Sequence, residues 1–225
     1  MRNESMNHAL RSLYADLWPD FLRLKENHAG LSTPYFATVG PDYETAPKRV
    51  LLVGKETNDW ANWKHVENES SLGAVNYLMR RYRKFAFGAK YPGRGSFWTP
   101  VKELGTLLNP GGAPDSFVAL NVSKMDQERR RPGRAVRDEM VRTDILASEI
   151  SILKPHVVVF LCGHAYDSWL KRWFPDLTID GDRWLATLGS ERLPKHSFRS
   201  YHPQYLNYKS KRKEIFGRIA ALTRG

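Results

Sequence analysis

Cysteine occurs once in the 225 residues, at position 162. A single thiol excludes a disulfide framework, a cysteine-rich zinc site and an iron–sulfur cluster. Cys162 ends the apolar run Val-Val-Val-Phe-Leu-Cys and reads as a small buried hydrophobe. No apolar run approaches membrane-spanning length, and the opening Met-Arg-Asn-Glu-Ser-Met-Asn-His has no apolar signal core. The chain is therefore expected to be soluble and cytoplasmic, with no membrane partner. Internal repeats and low-complexity stretches are missing too, which predicts one domain over 1–225, with residues 1–40 as a helical extension packed on it. Acidic residues are in deficit, 24 against 35 lysines and arginines, leaving a net charge of +11. Because the surplus is clustered, it predicts a polyanionic partner, nucleic acid first.

Four short segments read as strands: the apolar run Arg-Val-Leu-Leu-Val-Gly at 49–54, and the candidates 116–122, 156–162 and 196–202. Helical spacing covers 6–27, with Pro19 as an expected kink, then 71–87, 97–108, 134–153, 164–174 and a basic stretch from 209 to 223. Strands alternating with helices predict an α/β fold of three layers, α/β/α, around a central, mainly parallel four-stranded sheet. Ligands of such sheets bind at the carboxyl ends of the strands. That rule selects Glu56 after the first strand, Asn121 at the end of the second and His202 at the end of the fourth. Each alone reads equally well as a solvated carboxylate, a satisfied turn amide or a structural histidine. Composition and spacing reach an α/β protein with a polar site and a basic rim.

The order of four segments adds to this: Gly54-Lys55-Glu56-Thr57-Asn58, Ala119-Leu120-Asn121-Val122, the glycine turn after 156–162, and His202-Pro203-Gln204-Tyr205-Leu206. Over roughly residues 48 to 208 the chain resembles the uracil-DNA glycosylase superfamily. The resemblance implies a glycosylase that flips a pyrimidine out of DNA and hydrolyses its N-glycosidic bond, leaving an abasic site, as a monomer without cofactor or metal. It implies Glu56, His202 and Asn58 as catalytic residues. Gly54, Asn58, Asn121 and Phe97 would line the base pocket, with Trp60 or Trp98 as alternatives to Phe97 for stacking. Leu206 would enter the DNA as a wedge beside Gln204 and Tyr205. Lys209, Lys211, Arg212 and Lys213, together with Arg130 and Arg131 of a second basic cluster at 127–134, would meet phosphates.

Three departures from the family pattern matter. Glu56 stands where an aspartate or asparagine is usual, and Gln204 stands where a serine is usual. Thr57-Asn58 replaces a Pro-Tyr pair whose ring excludes groups at C5 of the pyrimidine. A wall removed and replaced by an amide implies a bulky polar C5 group, such as hydroxymethylcytosine or its glucosylated form in phage DNA, and hence antiviral defence. Conventional uracil-excision repair and a catalytically silent nucleic-acid-binding module remain the alternatives. Lys55 leaves open a Schiff-base lyase step after base removal.

Overall fold

The computed structural model describes residues 2–87, 97–113 and 116–224, with the side chains of residues 2–4 left out. Met1 and the segment 88–96, which carries the approach to Phe97, lie outside the described residues.

Four segments form the parallel part of one sheet: the all-buried β1 (Val50–Gly54), β2 (Phe117–Asn121) and β3 (Val157–Leu161) and, after a hairpin, the largely buried β6 (His196–Ser200). The apolar runs of β1, β2 and β3 are what strands covered on both faces require, whereas β6, His-Ser-Phe-Arg-Ser, buries polar side chains as well. These four run parallel, and β1 lies between β2 and β3. The sheet has six strands, in the order β2-β1-β3-β6-β5-β4, because β4 (Thr178–Gly181) and β5 (Leu185–Gly189) add antiparallel to β6. The four-stranded sheet read from sequence is thus two strands too small. β4 is mostly exposed and carries a single strong strand former, Ile179, so it shows no buried run to detect. The Asp180-Gly181-Asp182 turn between two short runs was the available signal.

The helices are α1 (Arg2–Asn27), α2 (Ser71–Phe87), α3 (Trp98–Leu108), α4 (Arg134–Arg142), α5 (Ile145–Leu153), α6 (Asp167–Trp173), α7 (Pro203–Tyr208) and α8 (Arg212–Leu222). α1 packs on α2 and α5, while α3 packs on α8, which also meets β6. α1 runs through Pro19 without a break. Pro19 is on the exposed face, where water can satisfy the carbonyl it leaves unpaired, while Trp18 and Phe21 are held in the core. The single helix expected over 134–153 is two helices, divided where Asp144 adopts φ 53° and accepts both guanidinium nitrogens of Arg192. The basic stretch 209–223 also departs from expectation. Ser210, with φ 55°, separates α7 from α8, so helix α8 starts at Arg212. No described helix is long and apolar enough to cross a membrane.

Beyond β2 the chain dives back into the interior. Lys124 and Glu149 of α5 are both fully buried and ion-paired, and Tyr14 of α1 donates to Glu149 Oε1 at 2.7 Å. Burial pushes the Lys124 ammonium down in pKa and the Glu149 carboxyl up, and each partner opposes the other's shift. The pair therefore ties α1, α5 and the loop after β2 at one desolvated point. Replacing Lys124 by Met leaves a buried unpaired carboxylate and is expected to cost about 3–5 kcal/mol of stability. Adding Glu149→Gln removes that charge while keeping an acceptor for Tyr14, so the double variant should recover most of the loss. Urea unfolding of the two variants and the parent measures both.

Candidate functional site

Parallel pairing of β1 with β2 places Gly54 opposite Asn121. Two further backbone bonds, Val122 N to the Gly54 carbonyl at 3.0 Å and Ser123 N to the Lys55 carbonyl at 2.8 Å, carry the pairing past the strand ends. The loop bearing Glu56 is thereby laid alongside the loop after Asn121. A sheet ordered 2-1-3 has its crevice where connections diverge from β1, at the carboxyl ends of β1 and β3. The site lies there.

Gly54 is its floor. A Cβ at that position would stand 2.5 Å from Asn121 Oδ1 and 3.1 Å from Cζ of Phe97, so only glycine lets amide and ring approach so closely. Phe97, half-buried at the start of α3, stacks on the His202 ring with centroids 5.3 Å apart. Among the described residues no hydrogen bond engages the Asn121 amide, whose residue is 9% exposed. An amide offers a donor and an acceptor side by side, so it can read the edge of a planar heterocycle.

Two titratable groups that follow strand ends here, Glu56 and His202, are shifted in opposite directions. Burial raises the pKa of Glu56; a hydrogen bond from Tyr166 and the charges of Lys55 and Arg131 act against that rise. Burial lowers the pKa of His202 to about 4, helped by the charge of Lys55. Gln204 N donates to His202 Nδ1 at 3.3 Å. With Nδ1 accepting, the proton of the neutral ring sits on Nε2, which makes that nitrogen a donor. Tyr166 follows the Gly163 turn at the end of β3, and its hydroxyl is pushed well up by burial and by Glu56, so it stays a donor. Arg131 lies over the Tyr166 ring at 5.2 Å. Tyr166 was missed from sequence, although it follows a parallel strand by the same rule that selected Glu56, Asn121 and His202.

The loops are held by Asp126, which is almost fully buried. Its Oδ2 accepts from Thr57 Oγ1 at 2.5 Å and from Asp59 N at 2.8 Å, and its Oδ1 accepts from Arg129 N at 2.8 Å. Glu128 and Arg129 form a two-residue turn with φ 52° and 63°, closed by mutual bonds between Gln127 and Arg130. This turn presents Arg130 and Arg131, both exposed, beside the site.

Several expected site residues stand elsewhere. Trp60 and Trp98 are buried edge-on to Phe85, so neither offers a face to a ligand; aromatic residues next to a site are as readily core as lining. Leu206 is no wedge. It is 0% exposed, because residues 203–208 form a helix whose Pro203 and Leu206 side, three residues apart, faces the core. Arg212 is ion-paired with Glu103 of α3 at 3.2 Å and so anchors α8. Asn58 is exposed, and among the described residues no hydrogen bond or ion pair joins it to Glu56 or His202. Gln204, Tyr205, Lys209 and Lys211 remain at the surface or half-exposed around His202's helix. No three His, Cys, Asp or Glu side chains among the described residues are grouped as a metal ion would need.

The chain matches no protein-family model and no curated protein sequence. Its site is therefore read from its own geometry. The opposing influences on Glu56 give a first expectation. Removing the Tyr166 hydroxyl in Tyr166→Phe takes away a bond that favours the carboxylate, so the Glu56 pKa moves further up. Carboxyl carbon NMR against pH reads the shift directly.

Proposed function

We propose that the chain is a DNA glycosylase of the uracil-DNA-glycosylase type, acting on a pyrimidine with a bulky polar group at C5. The reading is carried by one observation: a neutral imidazole donor, an unengaged amide and a ring meet around a glycine floor at the ends of parallel strands, and a part-buried carboxylate follows that glycine by two residues. The three-layer arrangement that goes with this family is part of the same proposal.

Each group has one task. An extruded base stacks on the exposed part of Phe97 and is read along its edge by Asn121, which offsets the few kcal/mol lost on unstacking. Breaking the glycosidic bond leaves positive charge on the sugar and an electron pair on the base. Glu56, as carboxylate, stabilises the sugar cation and takes a proton from the water whose oxygen bonds to C1′. His202 Nε2–H donates to the base oxygen on which negative charge collects. A neutral donor suits this, because an imidazolium buried beside Lys55 would be expensive to maintain. Lys55 is near enough to influence both groups and favours the ionised form of Glu56.

The C5 preference is supported by the loop from Lys55 to Asp59, which has no aromatic residue, and by Thr57, which is turned into the base of the loop onto Asp126. Asn58 is left exposed where a crowding ring would otherwise stand. A missing wall of this kind changes discrimination by about 1–3 kcal/mol, and an added amide supplies hydrogen bonds to a hydroxymethyl or sugar substituent. Arg130, Arg131, Lys209, Lys211 and Lys213 supply the phosphate contacts, and a chain that excises phage-type bases would serve antiviral defence.

Base release followed by alkaline strand scission tests the reading on DNA carrying uracil, hydroxymethylcytosine or glucosylated hydroxymethylcytosine. Release of a C5-substituted base is expected, and release of uracil alone would remove the C5 assignment. Glu56→Gln should lower release by a factor of about 100 or more while leaving DNA binding intact; undiminished release would sink the mechanism. The pH profile carries its own sign. Release should rise with pH through the raised pKa of Glu56, and His202, neutral down to about 4, should add no second limb near its ordinary value of 6.5.

A further inference from the structure

The face next to His202 is a ladder of aromatic rings edged with cations, made from two parts of the chain. Tyr201 precedes His202, Tyr205 and Tyr208 lie three apart on one side of α7, and Trp184 comes from the β4–β5 turn. Tyr201 and Tyr205 have ring centroids 4.7 Å apart, Trp184 and Tyr205 6.1 Å at an interplanar angle of 19°, and Tyr205 and Tyr208 6.5 Å. Arg183 lies over Trp184, Lys211 over Trp184 from its own side, and Lys209 over both Tyr205 and Tyr208. Tyr208 is 77% exposed, the most exposed large hydrophobic side chain described.

The ladder is braced from behind. Buried Arg199 pairs with Asp167 and donates to the carbonyls of Asp182 and Arg183. Ser200 Oγ donates to the Trp184 carbonyl at 2.9 Å, and Asp182 Oδ1 accepts from Trp184 N at 2.7 Å. Tyr201 OH is hydrogen-bonded to His164 Nδ1 at 2.8 Å and accepts from Arg183 Nε at 3.2 Å. Lys211 also pairs with Glu214 at 3.0 Å, whereas Lys213 beside it is exposed.

Rings that every base can stack on, alternating with cations that meet phosphates, form the surface that single-stranded nucleic acid selects. A duplex keeps its base faces stacked and has no use for such rings. The position expected to hold an intercalating wedge, Leu206, is buried instead, so α7 offers stacking where a duplex-opening enzyme would offer a plug. We propose that this ladder binds single-stranded DNA running out of the catalytic site, and that the enzyme takes its target base from an unpaired strand. The inference rests on the reading of the site as acting on DNA and adds the strandedness of the substrate.

Fluorescence anisotropy with a labelled oligonucleotide of about 15 nucleotides tests it, as single-stranded DNA, as the duplex and as single-stranded RNA of the same sequence. The Glu56→Gln background keeps substrate intact. Single-stranded DNA is expected to bind at least about tenfold more tightly than duplex. Tyr208→Ala should weaken that binding about fivefold or more, whereas Tyr208→Phe, which keeps the ring, should restore it. Because Tyr208 is exposed, these variants keep the fold. Trp184→Phe should keep affinity and remove the fluorescence quenching that stacking produces. Equal or tighter duplex binding, tighter RNA binding, or an unchanged affinity in Tyr208→Ala would overturn the proposal. The two readings fail separately. Ring-dependent single-strand binding without release of any base would discard the glycosylase and keep the ladder. Release from duplex alone, untouched by Tyr208→Ala, would do the reverse.

Discussion

A single buried carboxylate, Asp126, decides the shape of the candidate site's edge. The loops after β1 and β2 have to lie side by side for Glu56 and Asn121 to face one crevice, and neither loop has regular structure to hold it. Asp126 supplies the missing order by accepting from Thr57 and Asp59 on one oxygen and from Arg129 on the other. Its own backbone is fixed in turn, its N donating to Ser32 Oγ at 3.0 Å and its carbonyl accepting from Ser32 N at 2.9 Å. Charge-assisted bonds of this kind are worth more than neutral ones, and three of them outweigh two consecutive left-handed residues at roughly 1–2 kcal/mol each. The cost of the strained turn at Glu128 and Arg129 is thus met where it is incurred. Two residues earlier, the buried Lys124–Glu149 pair anchors the same loop to α1 and α5.

Against this fixed edge, one physical cause acts with two signs. Burial disfavours charge, so it raises a carboxyl and lowers an imidazole. At Glu56 the rise is resisted by Tyr166, Lys55 and Arg131, which favour the carboxylate. At His202 nothing resists, and Lys55 adds to the fall. Lys55 therefore favours an anion at one position and a neutral donor at the other, the protonation states that the proposed hydrolysis would use. Titratable groups perturbed in this way by burial and a named charge mark candidate functional sites. Glu56, Asn121, Tyr166 and His202 come from the ends of four strands, β1, β2, β3 and β6, so no single motif assembles the site.

The strands of the parallel core were legible because burial on both faces writes itself as unbroken apolar runs. Glu56 and Asn121 followed from those runs by the strand-end rule, His202 from the mixed segment 196–202, and the structure stacks Phe97 on His202. What failed to show was structure set by contacts distant in sequence. β4 gains its pairing from β5 and has almost no apolar signature of its own. The break at Asp144 is sealed by Arg192, forty-eight residues away, and nothing near position 144 announces it. Trp60 and Trp98 resemble site aromatics in composition and differ only in which way they face. Tyr166 was in view but undervalued, since a tyrosine after a glycine turn reads as packing until its hydroxyl meets a carboxylate.

The segment from Tyr201 to Lys213 shows how one local conformation redistributes roles. As an extended loop it would point Leu206 outward and leave the tyrosines as incidental neighbours. As a helix capped by His202 and started by Pro203, it has a period near 3.6, so residues 203 and 206 turn inward together and 205 and 208 turn outward together. Leucine then contributes to the core between α7 and α8, and the surface that remains is aromatic and cationic. The cap itself uses His202 Nδ1, which frees Nε2 for the crevice. Helix formation at six residues thus fixes the imidazole tautomer, removes the wedge and raises the ladder at once. The same backbone choice makes His202 Nε2 a donor and sets the rings of Tyr205 and Tyr208 on the face beside it.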